Sequence, residues 1–228
     1  MNIAFIPARC NSKSIAFKNI KNFCGKPLVF WSINALQNSV NIDKIYVATD
    51  CDEISNIVNS FNFSKVEVYD REPKNADDFA STESVMLEFI SKNNFKDEDL
   101  FILVQATSPL TQTKDFDEAL KAMKFQNANS ILTCVRTKRF FWKNDATSLN
   151  YDYKIRPRRQ EFEGTLMENG AFYINSIGNI KKDRNRLSAK VAIHVMEEFT
   201  AVELDEEDDW SFAESLMQRY IISKKIKF

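Results

Sequence analysis

The chain has 228 residues, 44% apolar and 12% aromatic, with 31 basic against 32 acidic side chains and a formal charge of -1. That content suffices to bury one full core, excludes a disordered chain, and lacks the net basic charge of a nucleic-acid binder. No apolar run approaches the roughly 18 residues of a membrane span, and the apolar start Ile3 to Ile6 is too short for a signal-peptide core, so a cytoplasmic protein without a membrane partner is expected.

In chain order, short apolar or β-branched runs alternate with longer amphipathic stretches. The predicted strands are Ile3 to Ile6, Lys44 to Ala48, Val66 to Tyr69, Leu100 to Val104 and Ser130 to Val135. Between them, Leu28, Trp31, Ile33, Ala35 and Leu36 recur at helical spacing, as do Ile54, Ile57, Val58 and Phe61. Ser81 to Phe89 opens like a capping box, and Lys114 to Phe125 reads as a further helix. This alternation predicts an α/β fold, Rossmann-like, with a mainly parallel sheet and helices on both faces.

From Arg136 to Glu168 the rhythm breaks into a basic and aromatic excursion with Phe140, Phe141, Trp142, Tyr151 and Tyr153. An arm that leaves the sheet and packs on a partner subunit is expected, within a single domain spanning residues 1 to 228. Strands at Ala171 to Ile174, Val191 to Met196 and Ala201 to Leu204 follow, then a closing helix from Glu207. Cys10, Cys24, Cys51 and Cys134 are scattered and are read as free thiols. His194, within the alternation of Val191, Ile193 and Val195, is read as a strand residue and not a catalytic one.

Several groups of residues suggest chemistry. The first strand runs into Pro7-Ala8-Arg9-Cys10-Asn11-Ser12-Lys13-Ser14 and then Lys18-Asn19. Three cations, Arg9, Lys13 and Lys18, stand there beside small residues at a strand's carboxyl end, where open α/β sheets bind ligands; such a loop suits a triphosphate, although a solvated basic loop has the same spacing. It lacks the glycines that a dinucleotide fingerprint or a Walker loop requires. Near the other end, alternation in Glu203-Leu204-Asp205 would put two carboxylates on one face of a strand, about 6 to 7 Å apart at their α-carbons, which suits a hard cation. The acidic run that continues through Glu206, Glu207, Asp208 and Asp209 could equally serve the positive end of a helix.

Pro7 to Asn19, Gly25-Lys26-Pro27-Leu28, Ala48-Thr49-Asp50, Arg71-Glu72-Pro73, Gln105-Ala106-Thr107-Ser108-Pro109-Leu110, Arg158-Arg159-Gln160 and Glu168-Asn169-Gly170-Ala171 resemble, in order and spacing, motifs of the CMP-sialic acid synthetases. Three departures stand out: Ser14 for a glycine whose left-handed backbone a serine would hold at a cost, Thr111 for a common arginine, and Glu203 for an aspartate.

The resemblance implies roles. Ala8, Arg9, Asn11, Ser12, Lys13 and Lys18 would meet the CTP phosphates, with Asn19 supporting the loop and Thr49, Asp50 and Arg71 on the nucleotide. Gln105, with Thr107 and Ser108, would contact the sugar acid near its reacting carbon, Arg159 and Gln160 its carboxylate, and Asn169 would orient it. A planar guanidinium suits the bidentate grip that a carboxylate offers. Glu203 and Asp205 would hold Mg2+. Local explanations stay open beside these: Asp50 could cap the helix after it, Arg71 could form a surface ion pair, and Asn169-Gly170 could be a turn.

The implied reaction is in-line attack of the anomeric hydroxyl of a nine-carbon 2-keto acid on the α-phosphorus of CTP, in a homodimer whose arms cross. Two alternatives remain: a nucleotidyltransferase for a sugar or alcohol phosphate, and a non-catalytic module that binds RNA or phosphorylated ligands through Arg136 to Arg159.

Overall fold

The computed structural model describes residues 1–10, 14–75 and 80–223. In chain order the elements are β1 (Asn2–Pro7), the two-residue strands β2 (Asn22–Phe23) and β3 (Lys26–Pro27), α1 (Leu28–Gln37), β4 (Lys44–Thr49), α2 (Asp52–Ser60) and β5 (Val66–Asp70). There follow α3 (Thr82–Lys92), β6 (Leu100–Val104), α4 (Thr113–Phe125), β7 (Ser130–Thr137), β8 (Thr165–Ser176), α5 (Ile177–Asp183), β9 (Val191–Met196) and α6 (Glu207–Met217).

Seven strands form one sheet in the order β5-β4-β1-β6-β8-β7-β9. The β5-β4, β4-β1, β1-β6 and β7-β9 pairs are parallel, whereas β8 runs antiparallel to both β6 and β7. Residues 3 to 6 of β1 are wholly buried because the strand is central and both its faces are covered. On one face Ile33 and Leu36 of α1, Ile54 and Val58 of α2, and Phe116 and Ala119 of α4 pack on Ala4, Ile6, Ile102 and Val104. On the other, Met86, Phe89 and Ile90 of α3 and Ile177 and Ile180 of α5 pack on Ile3, Phe5, Phe101 and Leu103. The chain thus adopts the Rossmann-like α/β fold expected. Among the described residues no helix is long and apolar enough to cross a membrane.

A third cluster explains how the two ends of the chain meet. Trp210, Ala213 and Met217 of α6 bury themselves against Ile15, Phe23, Leu28, Leu110 and Leu204. The Trp210 indole N–H donates to the Asn22 carbonyl at 2.9 Å, and the Cys24 N–H donates to Glu214 Oε1 at 2.7 Å. The closing helix therefore clasps the opening loop.

Three expectations need correction. Ala201 to Leu204 is not a strand: a 3-10 turn over Glu198–Ala201 leads into an extended segment whose described link to the sheet region is the Leu204 N–H donating to the Thr107 carbonyl at 3.0 Å. The excursion is shorter than 136 to 168, since β7 continues to Thr137 and β8 starts at Thr165. Cys10 and Cys51 are not both free: they are paired, with α-carbons 5.0 Å apart, because the adjacent parallel strands β1 and β4 end side by side. Cys24 and Cys134 are free thiols, and His194 lies buried in β9 as read.

Candidate active site

The carboxyl ends of β1, β5 and β6 open onto a hollow of about 280 Å³ lined by Arg9, Arg71 and Gln105 together with Ala80, Ser81 and Thr82 at the start of α3. Two guanidiniums and a helix N-terminus face the same space, an arrangement that favours an anion. Burial pushes the Arg71 guanidinium below its ordinary value, against the pull of Asp50, and its Nε has no hydrogen-bond partner among the described residues.

The loop root is tied down by backbone groups. Ala8, fully buried, donates its N–H to the Ala48 carbonyl at 2.8 Å. Asn19, also buried, donates Nδ2–H to the Arg9 carbonyl at 3.1 Å, and the Cys10 N–H donates to Asp50 Oδ1 at 3.0 Å. Asp50 therefore fastens the loop and does not cap α2, whose Ncap residue is Cys51. Thr49 is likewise spent on structure, its buried Oγ1 accepting from the Cys51 N–H at 3.2 Å. Among the described residues of the loop Phe17 is left-handed, with φ 51°.

Across from this loop lies the acidic end. Leu204 is fully buried, while Glu203 and Asp205 turn to the opposite side, so the pairing of carboxylates survives without a strand. Lys18, 7% exposed, donates from Nζ to the Leu204 carbonyl at 2.7 Å and to Asp205 Oδ1 at 3.2 Å, joining residues 187 positions apart. Most of the acidic run beyond Asp205 serves α6 and the opening loop: Asp209 accepts from the Asp205 and Glu206 N–H groups in the capping box of α6, and Glu207 pairs with Lys21 at 2.5 Å. Glu203 is packed over Gly170, where a β-carbon would lie 2.6 Å from its Oε1; the surrounding protein, then Asp205 and Glu168, push its carboxyl above the ordinary range. Glu203, crowded by Asp205 and Glu168, and Asp205, one of whose oxygens meets Lys18, together present oxygen donors to a hard cation, so the two fit Mg2+.

A cytidylyltransferase family model matches residues 3–223. The chain belongs to that cytidylyltransferase family. It is 34% identical over 95% of its length to an N-acylneuraminate cytidylyltransferase of Oncorhynchus mykiss and 24% identical over 91% to one of Streptococcus agalactiae. It spans about half the length of these curated relatives, 50% and 51% respectively. In fold it is similar to a CMP:2-keto-3-deoxy-manno-octonic acid synthetase solved with CTP, at TM-score 0.72 and 15% identity, covering 97% of this chain and 100% of that one. A 4-diphosphocytidyl-2C-methyl-D-erythritol synthase of Anaerococcus prevotii superposes with TM-score 0.64 at 12% identity, with 96% of each chain covered.

In this member of the family the expected site residues divide into groups. Arg9, Arg71 and Gln105 share the hollow; Lys18 and Asp205 form the bridge beside the opening loop, with Glu203 two residues before Asp205; Asn11, Ser12 and Lys13 lie outside the described residues. The Thr107-Ser108 turn carries the carbonyl that holds Leu204, and the buried Ser108 Oγ has no partner among the described residues. Thr111, at the arginine position, donates Oγ1–H to the Ser108 carbonyl at 3.0 Å and so serves the turn.

Two expectations fall elsewhere. Asn169 is 1% exposed, and its Nδ2 reaches Thr200 Oγ1 at 3.3 Å and the Thr200 carbonyl at 3.4 Å; it braces the segment that leads to Glu203 from beneath. Arg159 is exposed and lines a basic hollow within the arm, with Lys138, Arg139, Phe140 and Arg156, whose lining includes neither Gln105 nor Lys18; Gln160 beside it is exposed as well. Ser81 and Thr82 were not anticipated as site residues. Their capping pattern was visible in the sequence, but nothing there showed that α3 begins at the cleft.

Proposed function

We propose that the chain transfers CMP from CTP to the anomeric hydroxyl of a nine-carbon 2-keto sugar acid of the sialic or legionaminic kind, releasing pyrophosphate. The observation that carries this reading is the buried Lys18 ammonium joined to Asp205 and the Leu204 carbonyl, which sets a cationic loop against paired carboxylates. A metal-bound triphosphate requires such a pairing of opposite charges. The relatives' names support the sugar-acid class.

On this reading Arg9 and Lys18, with Lys13, neutralise charge on the pyrophosphate as it departs. Arg71 and the start of α3 hold the nucleotide. Gln105, at the end of β6, directs its amide to the acceptor near the attacking hydroxyl. Glu203 and Asp205 would hold Mg2+, which when bound withdraws charge from phosphate oxygens. The attack is direct, so no covalent enzyme intermediate is formed.

Arg159 and Gln160 take the acceptor's carboxylate. Their place on the arm, away from the Gln105 hollow, is accounted for if a second subunit delivers them, and the protein then works as a homodimer. A nucleoside triphosphate as co-substrate fits a cytoplasmic enzyme. The test is pyrophosphate release from CTP and Mg2+ with N-acetylneuraminic, legionaminic, pseudaminic and deaminated acids, and with 3-deoxy-octulosonate, each as acceptor. Release with a nine-carbon acid is expected; release only with a phosphorylated sugar would refute the assignment.

A further inference from the structure

We propose that Cys10 and Cys51 are a reversible thiol–disulfide pair whose oxidised state holds the root of the Arg9 loop in its CTP-binding position. The inference rests on the CTP reading above. It goes beyond it by assigning a redox modification site to the nucleotide end of the cleft.

Cys10 follows Arg9, which lines the hollow, at the end of β1, and Cys51 follows Asp50, which fastens the loop root, at the end of β4. Their α-carbons are 5.0 Å apart. That separation falls inside the range of about 4.4 to 6.8 Å that disulfides span. The Cys10 N–H bond to Asp50 and the Ala8 N–H bond to the Ala48 carbonyl hold the two backbones side by side, so the sulfurs meet without rearrangement of the sheet. In this cross-linked state Arg9 already lines the hollow with Arg71 and Gln105.

The two thiols differ in access. Cys51, 5% exposed, is the Ncap residue of α2, and Glu53 Oε2 lies 3.2 Å from its sulfur. Cys10 is half-exposed and is the sulfur that an incoming oxidant meets first. With a small-molecule disulfide RSSR as oxidant, the Cys10 thiolate attacks one sulfur and expels RS⁻, which takes up the proton given up by the Cys10 thiol. Cys51 then attacks the mixed disulfide at the Cys10 sulfur, the second RS⁻ leaves and takes up the Cys51 proton, and two electrons have passed from the protein to two RSH. Inside a cell such cysteine pairs are commonly transient and redox-sensing. Fixing a loop root in its bound position removes part of the ordering that ligand binding otherwise requires.

The experiment treats the full chain with glutathione disulfide or with a phosphine reductant, reads intact mass, and titrates each form calorimetrically with CTP in Mg2+. Expected are a mass lower by two hydrogens in the oxidised form and a Kd for CTP at least about threefold tighter than in the reduced form. Cys10→Ser and Cys51→Ser should each keep the reduced affinity and lose the response. Cys10, Cys51 and Glu53 also place their ligand atoms within 4.8 Å of one another, so native mass spectrometry of the reduced chain with added zinc belongs to the test. Retained zinc that leaves the thiols unreactive, or a mixed disulfide that never resolves, would overturn the proposal. A disulfide that forms while the affinities stay equal sinks this inference alone, whereas no CTP binding in either form brings down the functional reading itself.

Discussion

At Lys18 one buried ammonium satisfies a backbone carbonyl and a carboxylate oxygen, so its removal strands both and takes a cation from the triphosphate end. Lys18→Met keeps the stem that packs there, and kcat/KM is expected to fall by at least about a hundredfold, the scale of losing one preorganised charge partner. Steady-state kinetics with CTP varied would check this; a loss below threefold would remove Lys18 from the machinery. Gly170 bears on the same cleft from the acidic side. It has φ 63°, and an added β-carbon would meet Glu203 Oε1 at 2.6 Å, so Gly170→Ala must displace the carboxylate. The left-handed backbone adds about 1 kcal/mol of strain. The Mg2+ concentration for half-maximal activity is expected to rise about tenfold, as when the support of a metal ligand is disturbed. An unchanged Mg2+ requirement with a raised KM for CTP would show that Glu203 holds no metal.

Between elements, Asn169 of β8 braces the turn before Glu203 through Thr200. Asn169→Ala strips Thr200 of buried donors and is expected to destabilise the fold by about 1 to 2 kcal/mol, a drop of several degrees in Tm, with KM for the sugar acid nearly unchanged. Thermal melts and acceptor titrations on one preparation separate this from direct orientation of the acceptor, which would raise KM and spare Tm. The link between α3 and the segment after α5 carries a pH signature. Arg186 donates Nε–H to Glu83 at 2.6 Å and holds that carboxyl below its ordinary value. A depressed folded value means stabilisation present above the unfolded value of about 4.3 and lost as pH falls through the folded one. Both side chains are about a quarter exposed, so the pair is worth about 1 kcal/mol or less. Denaturant melts of Glu83→Gln should show that deficit near neutrality and a shrinking one as the pH falls below about 4.3. Elements of this kind differ in how legible they were. Leu100 to Val104 and Val191 to Met196 were bounded correctly because apolar runs ended by polar residues mark strands whatever they pair with. The direction of β8 was hidden, since a buried strand has the same composition parallel or antiparallel. Val202 and Leu204 imitate strand alternation in a segment that is extended only because Leu204 is drawn into the cluster under α6. The Cys10–Cys51 pair was unreadable until β1 and β4 were known to be neighbours.

Over the whole molecule, the question is how the arm meets the cleft. Motif order placed Lys18 and Asp205 together correctly, because each sits on a segment packed against α6, but order along the chain does not say whether residues 138 to 164 serve their own subunit's cleft or another's. Within the arm, Phe140 stacks on Tyr151 and Phe162 at centroid distances of 4.2 and 5.0 Å with Arg156 over its ring, a small aromatic core that fixes the arm's shape. Beyond that core, Trp142, Leu149, Tyr153 and Ile155 remain exposed, Ile155 at 79%, and such a run of apolar side chains fits burial on a second copy. If Arg159 then enters the partner's cleft, the subunits complement each other. Lys18→Ala and Arg159→Ala chains would each be nearly inactive alone. In a mixed dimer one cleft would carry both lesions and the other neither, so re-annealed equal mixtures should regain about a quarter of wild-type activity, half the dimers being mixed with one intact cleft each. If the arm served its own subunit, every cleft would keep one lesion and mixing would restore nothing. Sedimentation of the same mixtures would show whether mixed dimers had formed, so that failure to exchange is not mistaken for an arm acting within its own chain.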